Sequence, residues 1–279
     1  MRSPRLANAE ITCVDIVDGM DARDFFREDD ERFDLVIHLA AVVGGRMLIE
    51  GSPLSLAVDL SLDAEMAGWA LRTGQTHIVY FSSSAAYPVE LQTTARQYKL
   101  RETDIDLDAI KNPDMTYGWA KLTGEMLMNH LRREGLCVLT LRPFSGYGTD
   151  QDLDYPFPSF IHRGIHRKDP FEIWGSGDTV RDWIHIDDIV EATLTMAAAR
   201  VNKPINLCTG IPMSFNQLAA VVAGVVGYKP KLKVEHARPK GVAYRVGNPY
   251  QMSEFYQPKI TVFEGVWRAI KDLSGLLGV

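Results

Sequence analysis

Val79-Tyr80-Phe81-Ser82-Ser83-Ser84-Ala85-Ala86-Tyr87-Pro88 begins as a β-branched and aromatic run and ends in hydroxyls and small side chains. The first half has the composition of a buried strand and the second that of a turn. The carboxyl end of a strand is where open α/β sheets place their ligands. Short apolar runs of the same kind stand at 11–16, 35–39 and 137–142, with 78–82 as the run just quoted. Between them, 21–28, 60–72 and 117–133 space their apolar residues as helices do, the last stopping before Gly135. This alternation predicts βα units, hence a parallel sheet with helices on both faces. After Tyr147 the pattern gives way to a Pro- and aromatic-rich stretch at 154–171, then to shorter elements that include 205–207 and a helix over 215–226. That second part reads as a substrate-side lobe.

The bulk properties narrow the class. In 279 residues, 46% are hydrophobic and 24% charged, as in a globular chain with a sizeable core. A net charge of −6 argues against nucleic-acid and membrane-surface binders, whose mark is a basic excess, and favours a small-molecule ligand. Cys13, Cys137 and Cys208 lack metal-ligand spacing and read as reduced, buried thiols of a cytoplasmic protein. No apolar run reaches the roughly 18 residues of a membrane span.

Tyr117-Gly-Trp-Ala-Lys121 sets a phenol and an ammonium four residues apart, on one face of a helix. A nearby cation favours the phenolate, so Tyr117 is expected to have a lowered pKa and to serve as a general base or acid toward a hydroxyl. Two further phrases follow in order: Leu141-Arg-Pro-Phe-Ser-Gly-Tyr-Gly148, and Gly175-Ser-Gly-Asp-Thr-Val-Arg-Asp-Trp-Ile-His-Ile-Asp-Asp188. Together with the serine-rich turn, this ordered set resembles the extended short-chain dehydrogenase/reductases, specifically their NAD-dependent sugar-nucleotide epimerase/dehydratase branch, over about residues 15–270.

The resemblance implies a Rossmann-like doubly wound sheet at 1–150, with parts of 175–210 returning to it, and a mainly substrate-binding lobe at 151–279. Carried over, the catalytic group is Ser83, Tyr117 and Lys121, with Ser84 as fallback for the serine and as a substrate contact. NAD or NADP would lie against Leu39, Ala40, Ala41, Tyr117, Lys121 and Pro143, with Asp18 loosely placed near the adenosine. A nucleotide-diphosphate sugar would meet Ser145 and Arg181, whose planar fork suits phosphate oxygens. Arg238 and Arg245 are each either a second grip or a salt-bridge partner. Asp187 and Asp188 are expected to cap the following helix and His185 to be structural. The family pairs as homodimers through the helix bearing Tyr117 and the one at 60–72.

Departures matter as well. The family's G-x-x-G-x-x-G loop, which cradles a pyrophosphate, is not found, and the first run at 11–16 resembles the family's second or third strand, as though an opening βαβ unit were missing. Ala85 stands where family dehydratases carry an acid and the 3,5-epimerases and fucose synthases a cysteine, leaving only Tyr155 as a candidate second acid. Asp59 and Ser145 replace the family's asparagines. The implied reaction is 4-epimerisation through a 4-keto sugar; the alternative is a truncated relative that binds sugar nucleotides, or serves assembly, without hydride transfer.

Overall fold

A four-stranded parallel sheet carries the strand-turn just quoted at its centre. The computed structural model describes residues 4–44, 46–235 and 241–277. Strands β1 (Val36–His38), β2 (His77–Phe81), β4 (Cys137–Pro143) and β8 (Pro204–Leu207) pair in that order, all parallel, with Ile78 opposite both Val36 and Val138. Side chains alternate across a strand. Ile78, Tyr80 and Val138 therefore face one core with Phe26, Met66, Trp69 and Met128, while Val79, Leu139 and Leu141 face another with Ile189, Ala192 and Met196. The first core belongs to helices α1 (Ala22–Glu28), α3 (Leu56–Thr73) and α4 (Met115–Arg133), the second to α6 (Ile186–Ala198). Burying each such large apolar side chain stabilises by about 1.5–3 kcal/mol.

β4 continues past Pro143 into β5 (Ser145–Tyr147) and so into a second sheet ordered β3 (Lys99–Leu100), β11 (Tyr244–Gly247), β7 (Val180–His185) and β5, with β9 (Pro212–Ser214) antiparallel to β7. A parallel pair, β6 (Phe171–Trp174) and β10 (Leu232–Glu235), lies beyond it. Helices α5 (Pro156–Ile165), α7 (Phe215–Val226) and α9 (Val262–Leu277) close a third core around Phe157, Phe160, Phe171 and Trp183. Two short helices, α2 (Arg46–Gly51) and α8 (Tyr250–Ser253), complete the set. Among the described residues no helix is long and apolar enough to cross a membrane.

Most expected elements are present, and α7 has the expected bounds. The strand expected at 11–16 is not formed: that segment is irregular and ends in a 3₁₀ turn at Ile16–Asp18. Ile11 and Ile16 are 42% and 71% exposed and only Val14 packs against the first core, and among the described residues the run has no partner strand, without which β-propensity makes no strand. Only one of the three thiols, Cys208, is buried; Cys137 is half-buried and Cys13 exposed. The cap of α6 is also reassigned. The His185 side chain accepts from Asp187 N at 3.1 Å, and Asp188 reaches away to bind Tyr256 Oη and the backbone N–H groups of Lys259 and Ile260.

Candidate active site

Two glycines let α4 settle onto the end of β2. A Cβ on Gly118 would stand 2.4 Å from Ala85 O, and one on Gly124 would stand 1.9 Å from Tyr80 Oη and 2.3 Å from Asp63 Oδ2. With only hydrogen there, Tyr117 meets the serine turn. The turn itself is shaped by Ser83, whose hydroxyl accepts from Ala85 N at 3.1 Å, and is tied to α4 by Asp114 N donating to Ala85 O at 2.9 Å. Ser83 and Tyr117 line the same cavity. Lys121, 4% exposed, places its ammonium 5.8 Å from the Tyr117 ring centre and 5.5 Å from that of Tyr80.

The charge balance differs from the expected one. Burial pushes the Tyr117 phenol up, Asp59 pushes it further, and the Ser83 hydroxyl pulls the other way. The expected lowering by Lys121 does not prevail over this burial, and the Lys121 ammonium is itself pushed down by burial against the opposing pull of Asp63 and Asp59. Asp59, 3% exposed, accepts from Val42 N at 2.6 Å and so ties α3 to the loop after β1. Asp63 accepts from Tyr80 Oη at 2.7 Å and lies 3.0 Å from His38 Nε2. Spacing in the sequence carried no sign of this second carboxylate.

Beneath the turn lies a saturated network. Glu125 of α4 receives both ends of the Arg142 fork at 2.9 and 2.6 Å and the Ser82 hydroxyl at 2.5 Å. Arg142 also donates to Tyr87 Oη and Glu102 O, and Tyr87 donates to Asn206. Asp182, fully buried, accepts from Thr209 N and Oγ1, Gly210 N and Gly247 N, which clamps β7, β8 and β11 together.

The turn opens onto a cavity of about 350 Å³ that gathers Ser83, Ser84, Tyr117, Ser145, Arg181 and Arg245. Ala85 and Tyr155 line it too. Arg181 donates to Val180 O and Val242 O at 2.8 Å each and lies over the Phe215 ring. Arg245 is salt-bridged to Asp114 at 2.6 Å and bonded to Gln92, on the cavity wall rather than the outer surface. Arg238 lies outside the described residues. The aromatic wall of Phe160, Trp174, Trp183 and Phe215, with Arg163 stacked on two of these rings, was not anticipated. Such a wall is assembled from four elements and has no local signature.

For the expected cofactor the residues fit one half of the molecule. Leu39 is exposed at the carboxyl end of β1, Ala40 and Ala41 follow as small half-buried residues, and Pro143 ends β4. Small side chains there permit close approach of a planar group, and the Lys121 donors suit ribose hydroxyls. Asp18 is exposed on its 3₁₀ turn and is not among the cavity residues.

Known proteins share this fold. A dTDP-4-dehydro-6-deoxy-D-allose reductase from a Streptomyces species is 26% identical over 254 residues, covering 89% of this chain and 76% of its own. The GDP-L-fucose synthase of Escherichia coli K12 is 24% identical, covering 82% and 75%. Among solved structures, the Thermus thermophilus UDP-glucose 4-epimerase in complex with NAD superposes with a TM-score of 0.77 at 20% identity, over 91% of this chain and 81% of that one. Residues 1–208 match the NAD dependent epimerase/dehydratase family, and the chain belongs to it.

Proposed function

We propose that the protein interconverts a hydroxyl and a ketone on a nucleotide-diphosphate sugar, as a 4-epimerase working through a 4-keto intermediate. The observation that carries this reading is that Ser83 and Tyr117, the latter beside buried Lys121, face one cavity that also holds Arg181 and Arg245. Bound NAD(P) would supply hydride acceptance and return. Leu39, Ala40, Ala41, Pro143 and Lys121 would hold its nicotinamide half. Tyr117 takes the proton from the sugar hydroxyl oxygen and gives it back, Ser83 donates a hydrogen bond to that oxygen, and Lys121 keeps a positive charge beside the phenol. Ala85 offers no second acid next to the pair, which favours simple carbinol chemistry over water elimination.

A second reading is reduction of a 4-keto sugar nucleotide. It is favoured by the raised Tyr117 pKa, since a protonated phenol is the form that can donate to a ketone oxygen. A single experiment separates the readings: purified protein is supplied with NAD(P)(H) and with UDP-, dTDP- or GDP-hexoses, or their 4-keto forms. An epimerase converts sugar with no net change in NADH absorbance. A reductase consumes NAD(P)H in proportion to keto sugar. Binding of sugar nucleotide without either change would establish the non-catalytic alternative. The same reading carries a homodimer through α3 and α4, which expose Leu71 and Trp119; sedimentation at micromolar concentration as a monomer would remove it.

A further inference from the structure

Helix α3 carries two carboxylates four residues apart, Asp59 and Asp63, which therefore share a face. They are 3% and 2% exposed. Buried charges are ordinarily paired, yet among the described residues neither forms an ion pair with a lysine or an arginine. Asp59 accepts from Val42 N, and Asp63 accepts from Tyr80 Oη and lies 3.0 Å from His38 Nε2. A Cβ on Gly124 would strike both Tyr80 Oη and Asp63 Oδ2, so α4 lies directly on that hydrogen bond. Two cations face the pair from the packed elements: Lys121 of α4 and, when it is protonated, His38 of β1. Lys121 stands over the rings of Tyr80 and Tyr117 rather than in contact with either carboxylate. With His38 neutral, the group holds one negative charge more than it holds positive.

The position of that charge decides what it can do. Val42, held by Asp59, directly follows Leu39, Ala40 and Ala41, the segment that suits the nicotinamide half of NAD(P). Lys121, which faces both carboxylates, suits the ribose of the same half. The Tyr117 phenol registers the field as well, since after burial Asp59 does most to push it up. A field that disfavours an anion at a point favours a cation there. The oxidised nicotinamide ring carries one positive charge and the reduced ring none.

We propose that Asp59 and Asp63 set the redox preference of the bound nicotinamide, favouring the oxidised, cationic ring over the reduced, neutral one. They act through space in a water-poor interior and need no contact with the cofactor. The inference rests on the placement of the nicotinamide half given above. In the proposed chemistry it weights the hydroxyl sugar with oxidised cofactor over the keto sugar with reduced cofactor, in which the sugar has given hydride to the cofactor and a proton to Tyr117.

The test is calorimetric titration of the intact protein with oxidised and reduced NAD, and with oxidised and reduced NADP, comparing wild type with Asp59→Asn and Asp63→Asn. Both substitutions keep the size of the side chain. An asparagine at 59 still accepts from Val42 N, and one at 63 accepts from Tyr80 and can donate to His38. Each variant is expected to lower the ratio of oxidised to reduced affinity at least about threefold relative to wild type, the mark of a charge lost near the ring. Equal weakening of both forms would show a structural role and overturn the inference, as would a ratio unchanged in both variants. Melting temperatures report folding, and if Asp63→Asn does not fold, Asp59→Asn alone decides. Where a dinucleotide binds outside the calorimetric range, oxidised and reduced nicotinamide mononucleotide replace it, with the same outcomes. Wild type that binds none of these overturns the placement of the nicotinamide half and the inference with it, a failure distinct from an unchanged ratio.

Discussion

The two sides of the cavity are backed by packing of opposite kinds. On the α4 side, each buried charge of the Glu125–Arg142 pair has several partners, and the Ser82, Tyr87 and Asn206 side chains around it are bonded in turn. On the β7 side, Trp183 Nε1 and Gln151 Oε1 are held rigidly yet left unmet. A saturated network fixes geometry, because every member loses several bonds if it moves. A buried polar atom left unmet costs free energy instead. On the proposed function, the chemistry is set on the side that backs onto the saturated network and recognition on the side that carries Arg181 and the aromatic wall.

The comparison is broken most severely by opening the saturated side. Glu125→Ala leaves Arg142 charged, about 1% exposed and short of its carboxylate. It is expected to cost about 3–5 kcal/mol of folding stability, as for other buried pairs broken on one side. Denaturant melts measure this directly, and a loss below about 1 kcal/mol would show that water reaches the pair. Tyr117→Phe removes only a hydroxyl; turnover should fall by about 10²–10⁴-fold while sugar-nucleotide affinity barely changes. Full activity in that variant would remove Tyr117 from the chemistry.

On the recognition side the effects are smaller. Arg181→Ala should weaken nucleotide-sugar binding by about 1.5–3 kcal/mol, the contribution of a charge-assisted hydrogen bond, and an unchanged dissociation constant would leave Arg181 only its structural bonds to Val180 and Val242. Asp59→Asn sharpens the contrast most gently. Asp59 raises the Tyr117 pKa, so neutralising it lowers that pKa. The limb of the pH–rate profile that requires the phenolate then moves to lower pH, with folding intact because the Val42 N–H still finds an acceptor. A limb that stays in place would mean that burial alone sets the phenol.

Much of the scaffold was legible because its signals are local. The apolar run at 78–82 and the helical spacing at 117–133 with its stop at Gly135 each lie within a few residues of the structure they specify. The run at 11–16 had the same apolar character, but a strand needs a neighbour, and sequence alone did not show that none adjoins it. Similarly, Tyr117 and Lys121 were legible as a pair, whereas the burial that raises the phenol's pKa comes from packing, and the carboxylates that add to it stand 58 and 54 positions before Tyr117, at Asp59 and Asp63.

By itself, then, the amino-acid sequence determined the alternation of strand and helix, the hydroxyl-rich turn, the four-residue offset of Tyr117 and Lys121, and the arginine on β7, since periodicity and side-chain chemistry are properties of neighbours along a chain. Only the tertiary structure decided that Gly118 and Gly124 seat α4 on the turn, that burial and Asp59 push the phenol's pKa up, and that Phe160, Trp174, Trp183 and Phe215 come together as one wall of the cavity. Desolvation and hydrogen-bond satisfaction depend on which distant segments exclude water from a point in space, and that is fixed by packing rather than by sequence separation.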